Sequence, residues 1–187
     1  MTYFNSREIA AIALFSALWG VINSIFSPIV FQMWGLPILC DMIGFATLTV
    51  CVWWVRKLGA ASAVGLVATA INFLFNPGGV HFLGFTAASV VFDVASKLPG
   101  YERGFRNKFL ITLSMFPISV MSAALAGLII GTFFTAAPAL ARWGGVVGWA
   151  GLHAVGGAIG GFIGVTLVLG LDARGLSPRI QKTEAEK

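Results

Sequence analysis

Eight side chains stand out because a mostly apolar chain has little use for them where they fall: Asn23, Trp34, Asp41, Asn72, Asn76, His81, Trp149 and His153. Together they offer the chemistry of a binding site. A carboxylate pairs with cationic or amino groups, asparagine supplies a donor and an acceptor side by side, histidine does either, and tryptophan faces stack on planar rings. Each also has a plainer use. Asp41 lies close behind Pro37 and suits a helix cap as well as a pocket. Asn76 begins the turn Asn76-Pro77-Gly78-Gly79. His81 and His153 suit satisfied structural or interface positions. Trp34, Trp143 and Trp149 suit an interfacial aromatic belt, with Trp53 and Trp54 in the opposite one. Two histidines and an aspartate could hold a transition metal, but no H-x-x-E-H or H-E-x-x-H spacing supports it, and no metal is assigned. There is no G-x-S-x-G, no Walker A lysine and no pair of carboxylates at working distance, so the chain reads as a non-enzyme with no implied cofactor.

The elements that must position these residues follow from composition. Of 187 residues, 58% are hydrophobic and only 10% charged, against roughly a quarter charged in a soluble domain; the mean hydropathy is +0.90. So few charges cannot wet a globule, which excludes a soluble enzyme and a disordered chain. Charge, proline and glycine divide the sequence into six apolar stretches, about 8–30, 36–55, 59–75, 82–96, 109–136 and 147–171. Continuous apolar runs without period-two alternation indicate helices and not a β-barrel. The expectation is an all-α integral membrane bundle of six transmembrane helices in one domain, 1–171, followed by a polar tail, 172–187. The first run is too long for a signal-peptide core and contains Asn23 and Pro28, so it reads as a retained span. Cys40 and Cys51 would lie about 16 Å apart along a helix and cannot pair.

Sorting the charges gives an orientation. With the N-terminus inside, eleven of the twelve Lys and Arg fall on the cytoplasmic side: Arg7, Arg56, Lys57, Lys97, Arg103, Arg106, Lys108, Arg174, Arg179, Lys182 and Lys187, leaving Arg142 outside. This is the positive-inside pattern, and it puts both termini in the cytoplasm. The pI near 9.7 therefore orients the chain and does not indicate nucleic acid. In that frame the eight polar and aromatic residues gather near the outer face, whereas the inner half reads Ala, Ser, Gly and aliphatic. The pattern predicts an outward-facing pocket closed on the inside, and no continuous pore. Asp93, four residues before Lys97, is expected to form a local ion pair. Small residues at four-residue spacing, Ala13/Ala17 in the first span and Gly156/Gly160/Gly164 with Gly157/Gly161 in the sixth, let helix backbones approach closely.

Six short helices with both termini inside, Arg7-Glu8-Ile9 leading into Ala10–Ala17, and the junction Arg56-Lys57-Leu58-Gly59-Ala60-Ala61 resemble the substrate-binding S components of energy-coupling factor (ECF) transporters. The junction is similar to that of members assigned to thiamine or its hydroxymethylpyrimidine precursor. The resemblance implies a multi-pass cell-membrane protein that captures a small vitamin from outside and topples in the bilayer to deliver it. Its partners would be a membrane scaffold (T) subunit, docked on Ala13 and Ala17, and two cytoplasmic ATPases. Cobalt and nickel members carry histidine at the second position, where this chain has Thr2. For a thiamine-type ligand, the resemblance implies that Asp41 pairs with a cationic ring or amino group, Trp34 or Trp149 stacks, and Asn72 and Asn76 orient. The rival readings are a non-transporting membrane packing or assembly subunit, and a self-sufficient secondary carrier; the halves show no inverted repeat to favour the carrier.

Overall fold

The computed structural model describes residues 3–176 and 178. Thr2, Arg179, Lys182 and Lys187 lie outside the described residues, as does most of the expected polar tail. Among the described residues the chain is all helix and turn: α1 Ser6–Trp34, α2 Ile38–Val55, α3 Ala60–Phe75, α4 Phe82–Lys97, α5 Tyr101–Gly104, α6 Lys108–Phe133, α7 Ala137–Arg142 and α8 Gly145–Ala173. Six of these match the six apolar stretches; α5 and α7 are short helical turns inside expected loops. Four helices, α1, α2, α6 and α8, are long and apolar enough to cross a membrane. Helices α3 and α4 have 16 residues each, about 24 Å of helix against a hydrocarbon core of about 30 Å.

Helix α1 begins at a capping box in which Asn5 accepts from Glu8 N and Glu8 accepts from Asn5 N, a local device that satisfies two otherwise free donors. It runs past the expected end of the first stretch at about residue 30. Pro28 sits inside the helix, which runs on to a left-handed cap at Gly35 (φ 69°). Proline removes the bond to the carbonyl four residues back, here Ser24. Asn76 Nδ2, from the end of α3, donates to that freed carbonyl at 3.3 Å, which lets the helix continue.

The helices close into a ring, α1–α3–α4–α6–α8–α2 and back to α1, and glycine stands at each of the six contacts. A Cβ on Gly20 would meet Ile71, one on Gly44 Trp19, one on Gly65 Ser89 and one on Gly84 Ile130, all within 3 Å. On α8 the two glycine stripes serve different neighbours. Gly156, Gly160 and Gly164 face Asp41, Met42 and Thr49 of α2; Gly157 and Gly161 face Ala123 and Ser119 of α6. Helix α2 is buried without interruption from Gly44 to Trp53, which explains why it is apolar all round. Trp53 therefore belongs to the core at 1% exposure, not to an interfacial belt; Trp54 is the exposed one of the pair.

At the basic end the helix termini are tied together. Lys57 reaches Glu8 at 2.8 Å and donates to the Tyr3 carbonyl at 2.9 Å, and Tyr3 Oη donates to the Leu58 carbonyl. Asp93 differs from expectation. Among the described residues no ion pair joins it to Lys97, which is exposed; Asp93 is fully buried and accepts from Gly59 N (2.8 Å), Ser62 N (2.9 Å) and Ser62 Oγ (2.7 Å). Helix α3 starts at Gly59 (φ 94°) with no side-chain cap of its own. A carboxylate from α4 thus caps α3, adding its charge to the positive end of that helix.

Two stability predictions follow from these contacts. Gly160→Val pushes a side chain into the Met42 and Asp41 carbonyls and is expected to cost about 1–3 kcal/mol, whereas Gly170→Ala, with open space around it, is neutral or stabilising by up to about 1 kcal/mol. Thermal unfolding in detergent measures both, and equal melting temperatures would contradict the close α2–α8 approach. Asp93→Ala strands two backbone donors at the start of α3 and is expected to lose about 2–3 kcal/mol, whereas Lys97→Ala leaves the melting temperature unchanged.

Candidate functional site

Opposite the basic end, the ring opens around a cavity of about 620 Å³. Every long helix contributes to its wall: Ser27, Phe31 and Gln32 from α1, Cys40 from α2, Phe75 from the end of α3, Phe82 and Phe85 from α4, Ile130 from α6, and Trp149 and His153 from α8. The turn after α3 adds Asn76 and His81, and the α6–α7 connection adds Phe134 and Thr135. The wall is aromatic and, among the described residues, carries no Lys, Arg, Asp or Glu. A volume of this size suits a small organic molecule, and a few polar groups in an apolar wall are what fix a ligand's orientation.

Of the eight residues singled out in the sequence, Asn76, His81, Trp149 and His153 line this cavity. The other four do not. Asn23 and Asn72 are buried between α1 and α3, where Asn23 Nδ2 donates to Asn72 Oδ1 at 3.0 Å, Ser24 Oγ donates to the same oxygen, and Asn72 Nδ2 donates to the Ala68 carbonyl. Ser27 Oγ closes the set by donating to Asn23 Oδ1. Their polar atoms are spent on one another, stitching two helices together. Trp34 points away at 60% exposure. Asp41 lies one layer behind the wall: its Oδ2 is 2.8 Å from His153 Nδ1, with the two side chains 0% and 1% exposed. It does not cap α2, whose cap position, Pro37, receives no side-chain hydrogen bond.

The Asp41–His153 contact is made possible by Gly156, whose missing side chain leaves room for Asp41 Cβ. The pair is close without being aligned as a hydrogen bond, and Asp41 Oδ1, His153 Nε2 and Trp149 Nε1 have no hydrogen-bond partner among the described residues. Trp149 and His153 are four residues apart on α8 and so share one face. Their rings meet at 5.8 Å between centroids, Phe85 stands 5.7 Å from His153, and Phe31 stands edge-on to Trp149 at 6.3 Å. At 3% exposure Trp149 is buried and belongs to no interfacial belt. Among the described residues no three His, Cys, Asp or Glu side chains come together in a way that would hold a metal.

Sequence reasoning missed the phenylalanines of the wall and Cys40. A phenylalanine near a helix end looks the same in sequence whether it faces lipid or a cavity, and only the ring closure of the helices separates the two. Ala13 and Ala17 are exposed on α1, and Val21 beside them is 39% exposed. The chain matches no family model, no curated protein and no solved structure.

The two free cysteines test the cavity directly. Cys40 lines it, whereas Cys51 is buried in the core of α2. A small neutral methanethiosulfonate reagent is expected to add once to the folded chain, at Cys40, and to leave Cys51 unmodified until the protein is denatured. Intact-mass and peptide mass spectrometry read the outcome; modification at Cys51 first would mean that the cavity is elsewhere.

Proposed function

We propose that this chain is the substrate-binding subunit of an ECF-type importer, capturing a small vitamin or vitamin precursor of the thiamine-related, pyrimidine-bearing kind. The observation that carries the reading is the cavity: aromatic, with no charged side chain among the described residues of its wall, and placed at the end of the bundle remote from Arg7, Arg56, Lys57 and Lys97. Among the described residues Phe45, Leu48, Phe92 and Met115 are buried in the interior, which supports capture at one end over a continuous pore. Binding at one end fits a protein that moves as a body, with partners, to release its ligand inward.

In this reading α1, α2, α3, α4, α6 and α8 all cross the cell membrane, both termini are cytoplasmic, and the basic end faces the cytoplasm under the positive-inside rule. The two 16-residue helices cross where the bundle meets a locally thinner bilayer. The exposed Ala13/Ala17 strip is the contact for a membrane scaffold subunit that links two ATPases, since small residues permit close and reversible helix packing without polar pairs to break.

The experiment is uptake of labelled thiamine or hydroxymethylpyrimidine by cells or liposomes carrying the chain with and without an ECF scaffold and ATPases. Uptake is expected only with all partners and ATP. Ala13→Trp and Ala17→Trp are expected to lower uptake by about tenfold or more, equivalent to about 1.4 kcal/mol of docking energy, and to leave ligand affinity unchanged. Uptake by the chain alone would instead establish a self-sufficient carrier, and loss of affinity in the alanine variants would place the strip in the binding site.

A further inference from the structure

We infer that Trp149 and His153 form a two-donor clamp for the acceptor edge of an uncharged planar heterocycle, with Asp41 as the positioning residue that keeps His153 a donor. The inference rests on reading the cavity as a solute site and adds which part of the solute is read. Three observations lead to it. Trp149 Nε1 and His153 Nε2 are buried, lack any partner among the described residues, and belong to side chains on one face of α8 that line the cavity. Such atoms are costly in a dry interior unless something pairs with them. Asp41, held by the α2–α8 contact at Gly156, meets His153 through Nδ1 and leaves the other ring nitrogen free.

The direction of the hydrogen bonds follows from charge. Asp41 and His153 are fully buried and have no other ionic partner among the described residues, and an uncompensated charge there is far more costly than a neutral pair. Of the neutral arrangements, one with the Asp41 proton on Oδ1 and the imidazole proton on Nδ1 would bury an O–H with no acceptor among the described residues, which leaves two. Either Asp41 is ionised and His153 carries both protons, or Asp41 holds one proton toward Nδ1 and the imidazole holds the other. In both, Nε2 bears a hydrogen and donates. Indole Nε1 can only donate. The clamp therefore offers two N–H groups and no acceptor, which selects a ligand with ring nitrogens or carbonyl oxygens on one edge.

The remaining wall sets the rest of the ligand. Phe31, Phe82, Phe85 and Phe134 are suited to the faces and edges of a flat ring. Among the described residues a cationic ligand finds no carboxylate on the wall, because Asp41 lies behind it against His153, and an anionic ligand finds no Lys or Arg there. The acceptor edge is therefore carried on an uncharged ring, and any permanent cation elsewhere in the solute adds little.

The test is calorimetric titration of the purified full-length chain in detergent with three probes: 4-amino-5-hydroxymethyl-2-methylpyrimidine, its benzene counterpart 2-amino-4-methylbenzyl alcohol, which lacks both ring acceptors, and thiamine, which adds a cation. The wild type is expected to prefer the pyrimidine over the benzene counterpart by about tenfold or more, from one or two net hydrogen bonds, and to bind thiamine within about threefold of the pyrimidine alcohol. Trp149→Phe, His153→Phe and Asp41→Asn are each expected to reduce the pyrimidine preference to about threefold or less, while affinity for the benzene counterpart stays unchanged. A purely structural role for these residues would lower both affinities together. If His153→Phe fails to fold against Gly127, Trp149→Phe decides the matter alone. Equal wild-type affinity for pyrimidine and benzene probes, or a tenfold advantage for thiamine, would overturn the clamp and leave the cavity as a solute site. Binding of none of the three would overturn both.

Discussion

Close approach of helix backbones at glycine is the constraint from which the rest of this structure follows. Between apolar helices in lipid there is no hydrophobic gain from association, so packing must come from van der Waals contact over short distances. Glycine stands at each contact of the six-helix ring. Helix α8 is the extreme case: it presents Gly156, Gly160 and Gly164 to α2 and Gly157 and Gly161 to α6, and is held between them on two sides. The consequence reaches the cavity, because the α2 backbone comes near enough for Asp41 to meet His153 only where Gly156 leaves the space empty. A stripe that reads as generic packing in the sequence is what sets the geometry of the site.

Polar groups inside such a bundle must be answered internally, and the chain answers them in three ways. Buried Ser16, Ser89, Ser96 and Ser119, with Thr47 and Thr49, donate to the carbonyl four residues earlier in their own helix, so they cost little and keep the surface small. Asn23, Ser24, Ser27 and Asn72 answer one another across α1 and α3. Asp93 and Asn76 answer backbone groups of a different helix, the uncapped start of α3 and the carbonyl freed by Pro28. Each device removes a penalty of the kind that membranes enforce most strictly. With the basic end locked by Asp93, Lys57 and Tyr3, the cavity end is the one where helices part.

The residues also show how far a sequence of this kind can be read. The all-helical class and the places of the longer helices were legible because apolar stretches separated by charge, proline and glycine leave few alternatives, and α3 and α4 fall within a residue or two of their expected limits; the short helices α5 and α7 were not foreseen. Helix α1 overran its expected end because the rule that proline stops a helix is a local rule, and Asn76, 48 positions after Pro28, is what relieves it. Asp93 was misassigned for the same reason: spacing along α4 points to Lys97, whereas the partners that matter, Gly59 and Ser62, lie on another helix. Depth placed Asn76, His81, Trp149 and His153 near one another, but depth is a single coordinate. It could not tell the residues facing the cavity from Asn23 and Asn72, which lie between two helices at the same level.

What separates those two groups is satisfaction, not polarity. Asn23 and Asn72 are fully engaged with neighbours, so a ligand could reach them only by breaking bonds that already hold α1 to α3. Trp19 Nε1, Tyr101 Oη and Ser122 Oγ are unengaged among the described residues but do not line the cavity. Unpaired buried donors and a cavity wall coincide at Trp149 and His153. An interior that elsewhere spends most of its serine, threonine, asparagine and aspartate on closing its own hydrogen bonds leaves two donors open beside the cavity, on the helix most tightly held by its neighbours. That combination, rigid support behind and unmet hydrogen-bonding capacity in front, is the physical condition for selective binding, since a ligand supplying the missing acceptors gains bonds without having to order the groups that make them.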